Sequence, residues 1–244
     1  MLKNNLNVII IAVAVVISSY LFSNAFQNRN KSNDTISVTG SGKKDFVSDL
    51  IVWSGSFSKK SMTLKEAYAA LDSDREKIKS YLSSRGMAPK EMVFSAVNFN
   101  KDFETTYNEN GTTRQQIFTG FNLTQSVSIQ SKEVNKIEEL SRQSSELINS
   151  GVEFYSSPPE YYYTKLAELK IKMIAEATKD ASIRAKSIAK NADASLGNLK
   201  KSDMGVFQIV GQNSSEDFSY GGSFNTKSKN KTANITVRLV YQVN

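Results

Sequence analysis

The chain divides by its pattern of apolar and polar positions into a uniform apolar run and a longer part whose period switches between two and 3.6. From Val8 to Phe22 (VIIIAVAVVISSYLF) there is no charge, and Ser23 to Phe26 extend the run before Arg29 and Lys31. At about 1.5 Å per residue a helix over 8–26 reaches roughly 28 Å, close to the hydrocarbon thickness of a bilayer. A transmembrane anchor over 8–26 is therefore expected, with residues 1–7 cytoplasmic and 27–35 a linker. A cleaved secretory signal fits the same stretch, with Lys3 as its basic end and Ser23-x-Ala25 as a cleavage pattern. A buried core helix is the third reading, opposed by polar Asn28 to Asp34, which separates the run from the strand-forming part of the chain.

Ile36 and Val38 alternate with Ser37 and Thr39, and Val47, Ile51, Trp53 and Phe57 outline a second strand. Gly40-Ser-Gly-Lys-Lys-Asp45 between them has the length of a hairpin loop. The same residues resemble the start of a phosphate loop, but that requires a helix to begin after the glycines, and here a strand comes next. Thr63-Leu-Lys-Glu66 is a capping box that opens a helix carrying Leu64, Ala67, Leu71, Ile78 and Leu82, and Gly86 stops it. Met92 to Tyr107 reads as a strand, Asn108 to Gly111 as a turn, and Ile117 to Ile129 as a returning strand with one apolar and one polar face.

Val134 to Ile148 predicts a second helix, and Val152 to Tyr155 a short strand. Ser157-Pro-Pro-Glu160 combines an N-cap residue, proline at the first helical position and a capping glutamate, so a long helix bearing Leu166, Leu169, Met173, Ala177, Ala181 and Ala185 is predicted to begin there. A strand over Met204 to Val210, a polar loop over Gly211 to Lys231 and an alternating strand from Ala233 to Val243 complete the order. The fold class is α+β: antiparallel β-sheets with helices packed on one face, preceded by an N-terminal transmembrane helix.

Composition narrows the chemistry. The 244 residues contain neither cysteine nor histidine, which removes disulfides, thiolate nucleophiles, Ser-His-Asp triads and most zinc sites. The formal net charge of +7 is spread through mixed-charge helices, and the densest basic run, Lys227 to Lys231, has no aromatic interleaving, so no nucleic-acid partner is expected. Asp72 and Asp74 face different ways on a helix, and neither they nor Asp102 and Glu104 are followed by the further oxygen ligands that calcium needs. No catalytic, cofactor-binding or metal-binding residue is expected, and the chain reads as a non-enzyme. Two aromatic groups are candidate interface residues: Tyr161, Tyr162 and Tyr163, taken as first-turn helical residues pointing in different directions, and Phe218, Tyr220 and Phe224 in the polar loop.

Several segments taken in order resemble the SIMPL domain proteins of the bacterial envelope. They are ISVTGSG at Ile36 to Gly42, IFTGFNLTQSVSI at Ile117 to Ile129, the Ala- and Lys-rich Ala175 to Ala192 with Leu196 to Leu199, and ITVRLVYQV at Ile235 to Val243. The resemblance covers 36–244 and implies an extracytoplasmic α+β domain without an established activity; together with the anchor expected over 8–26, this places the chain at the bacterial inner membrane with its main domain on the periplasmic side. It also implies self-association into a homo-oligomer or binding of envelope partners, with some relatives linked to oxidative-stress defence. Binding of a small ligand or envelope polymer is the alternative.

Overall fold

In the computed structural model, which describes residues 2–28, 34–108, 111, 113–217 and 219–243, a lone helix precedes two helix-covered sheets. Helix α1 (Leu2–Asn28) has every described apolar side chain from Ile9 to Phe26 exposed, so it is not a core helix. The expected linker lies mostly outside the described residues.

The first sheet joins β1 (Thr35–Val47), β8 (Leu196–Met204), β9 (Gln208–Gly211) and β10 (Asn230–Val243), with β10 central and every pairing antiparallel. Helix α4 (Leu166–Asn191) covers one face of it. The second sheet holds β2 (Leu50–Ser61), β3 (Met92–Phe94), β4 (Asn98–Tyr107), β5 (Thr113–Ser131), β6 (Phe154–Ser156) and β7 (Glu160–Tyr162). Its inner face meets α2 (Leu64–Ser84), α3 (Val134–Gln143) and a 3-10 helix over Ser144–Ser150. Each sheet has its own core. Ile51, Trp53, Phe57, Leu71, Ile78 and Ile129 centre one, and Met173, Ala177, Ala181, Ile235 and Leu239 centre the other. The second sheet is thus inserted between β1 and α4 of the first.

Alternation of polar and apolar residues built the strands as expected, with Ala233, Ile235, Val237 and Leu239 all buried on the α4 side of β10. Thr63 caps α2 by accepting a bond from the Glu66 amide at 3.3 Å. Four expectations are corrected. The Gly40 to Asp45 segment is not a hairpin loop: β1 continues straight through it, paired residue for residue with β10 from Gly40–Val237 to Asp45–Thr232. Its glycines serve helix packing, since a Cβ on Gly40 would lie 2.3 Å from both Ala177 O and Ala181 N, and one on Gly42 2.7 Å from Met173 O.

The long helix does not start at Ser157. Glu160 to Tyr162 instead pair with Leu50 to Val52 of β2, where burial of the Tyr161 ring and strand bonding win over the local capping signal, and the helix starts at Leu166. The penultimate strand starts at Leu196 and is broken at Gly205 to Phe207, so β8 and β9 replace one strand. Register shifts opposite Val240 to Val243 and an exposed β8 erased its alternation. Lastly, Met92 to Tyr107 is two strands, β3 and β4, parted at Ser95 to Val97.

Candidate interaction site

The two halves meet where the chain crosses between them, and the three tyrosines belong to this seam. Asp49, on the outgoing crossing, accepts bonds from the Thr164 amide and hydroxyl on the return, each at 2.7 Å. Tyr161 is 7 % exposed, its hydroxyl donating to Glu138 Oε1 at 3.1 Å. Glu138, on α3, also takes Lys229 from the loop before β10 at 2.8 Å and Arg142 at 3.6 Å. The Lys229 hydrogen bond holds the Glu138 carboxyl below its usual range against the pull of partial burial. Burial first, then the Glu138 carboxylate, push the Tyr161 phenol up to about 12. Tyr162 is half-buried and bonds Glu160 at 2.9 Å, while the Tyr163 ring lies 4.8 Å from that of Phe46. The tyrosines are not first-turn helical residues, and Tyr161 is spent in the core of the second sheet, where its hydroxyl holds the Glu138 that takes Lys229 across the seam.

Of the loop aromatics, Phe218 lies outside the described residues, Tyr220 is fully exposed and Phe224 is half-exposed at a bridge to Ile209. Gln208 organises this loop. Its side chain donates to Ser219 O at 2.7 Å and accepts from the Ser223 amide at 2.6 Å. A cleft of about 320 Å³ opens beside it, lined by Val206, Tyr220, Asn234 and Thr236.

Beneath the same loop Lys231 is only 2 % exposed, its ammonium donating to Asn225 O. Two members of the basic run are thus committed internally, Lys229 to Glu138 and Lys231 to the loop. Desolvation pushes the Lys231 ammonium down to about 8, with Glu216 pulling the other way. The unfolded chain, with lysine near ~10.4, binds the extra proton between that value and about 8, so folding stability should rise with pH across this window. Thermal melts from pH 7.5 to 10 are expected to climb in the wild type and to flatten in Lys231→Met. Parallel curves for the two proteins would refute this.

The amide that a phosphate loop would offer is already engaged. Ser41 N donates to Asp180 Oδ2 of α4 at 2.9 Å, and Arg184 holds the same oxygen at 3.0 Å. The Ser41 amide first, then Arg184, lower the Asp180 pKa. The anion facing the glycines is the protein's own, placed on the open edge of β1.

An uncovered apolar face of the second sheet is not among the aromatic groups picked out from the sequence. β4 and the first half of β5 form a two-stranded ribbon running past the helices. Pairing of Phe99 with Leu123, Lys101 with Phe121 and Phe103 with Phe118 puts these residues on the face that is core elsewhere in the sheet. Out on the ribbon no described helix covers it: Phe99 is 56 %, Phe103 51 % and Tyr107 64 % exposed. Phe103, Phe118 and Phe121 stack edge-on at 5.7 and 5.1 Å. Phe99, Phe103 and Tyr107 recur every fourth residue in a polar strand, which is the signal that could have found them. Among the described residues no group of three metal-ligating side chains converges.

Fold and surfaces together define an α+β protein of two helix-covered antiparallel sheets behind an exposed apolar helix. The sequence profile described as SIMPL, protein of unknown function (DUF541), matches residues 36–241, and the chain belongs to that family. A comparison with curated proteins finds no match.

Proposed function

We propose that this SIMPL protein is held at the bacterial inner membrane by α1, carries its sheets on the periplasmic side, and acts by self-association rather than by catalysis. The observation behind this reading is the ribbon, where the inner face of the second sheet continues as Phe99, Phe103 and Tyr107 with no helix over it. Exposed aromatic rings on a rigid two-stranded support offer large contact area at low entropic cost, which suits contact between folded surfaces. A second copy is the occupant, and another envelope protein is the alternative partner.

Full-length protein in detergent, measured by light scattering, is expected to show a protein mass several times that of one chain. Replacing Phe99, Phe103 and Tyr107 together by serine should return it to one chain per particle with unchanged circular dichroism. A monodisperse single chain at high concentration in the wild type would end the self-association reading. Binding of a small ligand or envelope polymer is a second reading, supported by the cleft of about 320 Å³ beside Tyr220. Ligand-induced quenching there, abolished by blocking the cleft with Thr236→Trp, would favour it.

A further inference from the structure

One end of the first sheet lies a short stretch of chain from α1. Gly40 lies against Ala177 and Ala181, and Ser37 to Thr39 lie beside Arg184 and Ile188, so α4 runs antiparallel to β1 and ends near the start of β1. β8 begins at the same end, where Leu196 pairs with Val243 and the Val243 amide donates to Asp34 O at 2.9 Å. α1 ends at Asn28 and β1 begins at Thr35, so the chain between them spans no more than roughly 25 Å even if fully extended.

Lys186, Lys190 and Lys200 are exposed toward this end, and Ile188 is 48 % and Leu199 51 % exposed there as well. Asp193 is the one acid between Ser182 and Lys201. The nearby Arg184 and Lys201 are already paired, to Asp180 at 3.0 Å and Asp203 at 2.9 Å. At the opposite end of the sheet Lys229 is paired to Glu138 and Lys231 lies beneath the loop, while Lys43, Lys44, Lys165 and Lys170 are exposed.

We propose that this end of the sheet docks on the anionic phospholipid headgroups of the bilayer that holds α1, with Lys186, Lys190 and Lys200 against phosphate and Ile188 and Leu199 entering the interface. The inference rests on the anchored reading of α1. A short tether keeps the patch at high local concentration beside the headgroups, so weak contacts suffice, and attraction between lysine and anionic lipid fades beyond about 10 Å at ordinary salt.

The absence of cysteine lets one label report position. Full-length protein carrying a fluorophore at Asn198→Cys, or at Ser215→Cys on the far loop, is reconstituted into vesicles containing headgroup-spin-labelled lipid. With phosphatidylglycerol present, quenching at 198 is expected to exceed that at 215 by about threefold or more. It should fall to the level of 215 in phosphatidylcholine alone, at about 0.5 M salt, and in Lys186→Glu/Lys190→Glu/Lys200→Glu. These lysines are exposed, so the swap leaves the fold intact, as circular dichroism will confirm.

Protein washed from the vesicles by alkaline carbonate defeats the anchor reading and this inference with it. Protein that stays but is quenched equally at 198 and 215, or equally in both lipids, overturns the docking alone. So does disulfide cross-linking of two copies through position 198 without quenching, which would give the surface to a second chain.

Discussion

Replacing Gly40 by valine should remove about 4 kcal/mol or more of stability, lowering the melting temperature by about 10 °C or preventing the first sheet from forming. A Cβ there meets backbone atoms of α4 at 2.3 Å, and a helix backbone cannot yield as a side-chain tip can. The helix would have to lift away, opening its contact with Val38, Ile235 and Val237 along the same face. Ala177, Ala181 and Ala185 are wholly buried opposite, so small residues on both partners let strand and helix touch main chain to main chain. Gly221→Ala is the control, because a Cβ there meets only Ser219 Oγ at 4.0 Å and should change nothing measurable. A Gly40→Val protein that melts like the wild type would show that α4 does not pack against β1 at this glycine.

Trp53→Ala should cost about 3–5 kcal/mol, and its damage should stay in the second sheet. The ring is 1 % exposed, its Nε1 donates to Ser156 Oγ at 3.0 Å, and it lies 5.9 Å from the Phe154 ring, so it ties β2 to β6. Ser156 passes the link on to Ser141 O of α3 at 3.2 Å. Phe154 itself sits over Gly55, where a Cβ would fall 2.0 Å from its Cζ, so the space left by the indole cannot be refilled by a simple shift of that ring. Hydrogen exchange is the readout. Amides in the β2–β5 ladder should lose protection while those in the β1–β10 ladder keep most of theirs, because the two cores share no buried residue. Equal loss in both ladders would mean that the seam at Glu138 and Asp49 couples the halves into one cooperative unit.

Most of the fold was legible because period decides it. The alternation in β10, the Thr63 N-cap of α2 and the alanine stripe of α4 each follow from one local rule that the tertiary structure leaves in force. Two of the misreadings share a cause, a local signal serving a distant partner. Gly40 and Gly42 look like turn residues, yet they answer Ala177 and Ala181, far off in the sequence. Ser157 to Glu160 look like a helix start, yet Glu160 to Tyr162 are claimed by the open edge of β2. At the candidate site the same holds. Tyr161 is conspicuous because it is aromatic, but its pairing with Glu138 could not be read from spacing, whereas the ribbon aromatics were hidden by being scattered at fours among polar residues.

The insertion of the second sheet sets an order of events during synthesis. Residues 50–162 contain every strand of that sheet and can fold as soon as they emerge, whereas β1 pairs only with β10, Thr35 meeting Gln242. Until the final strand is made, β1 waits without its partner beside an already folded neighbour. The first sheet is therefore expected to be the last to close, because its closure waits on the return of β10 to β1 across the inserted second sheet.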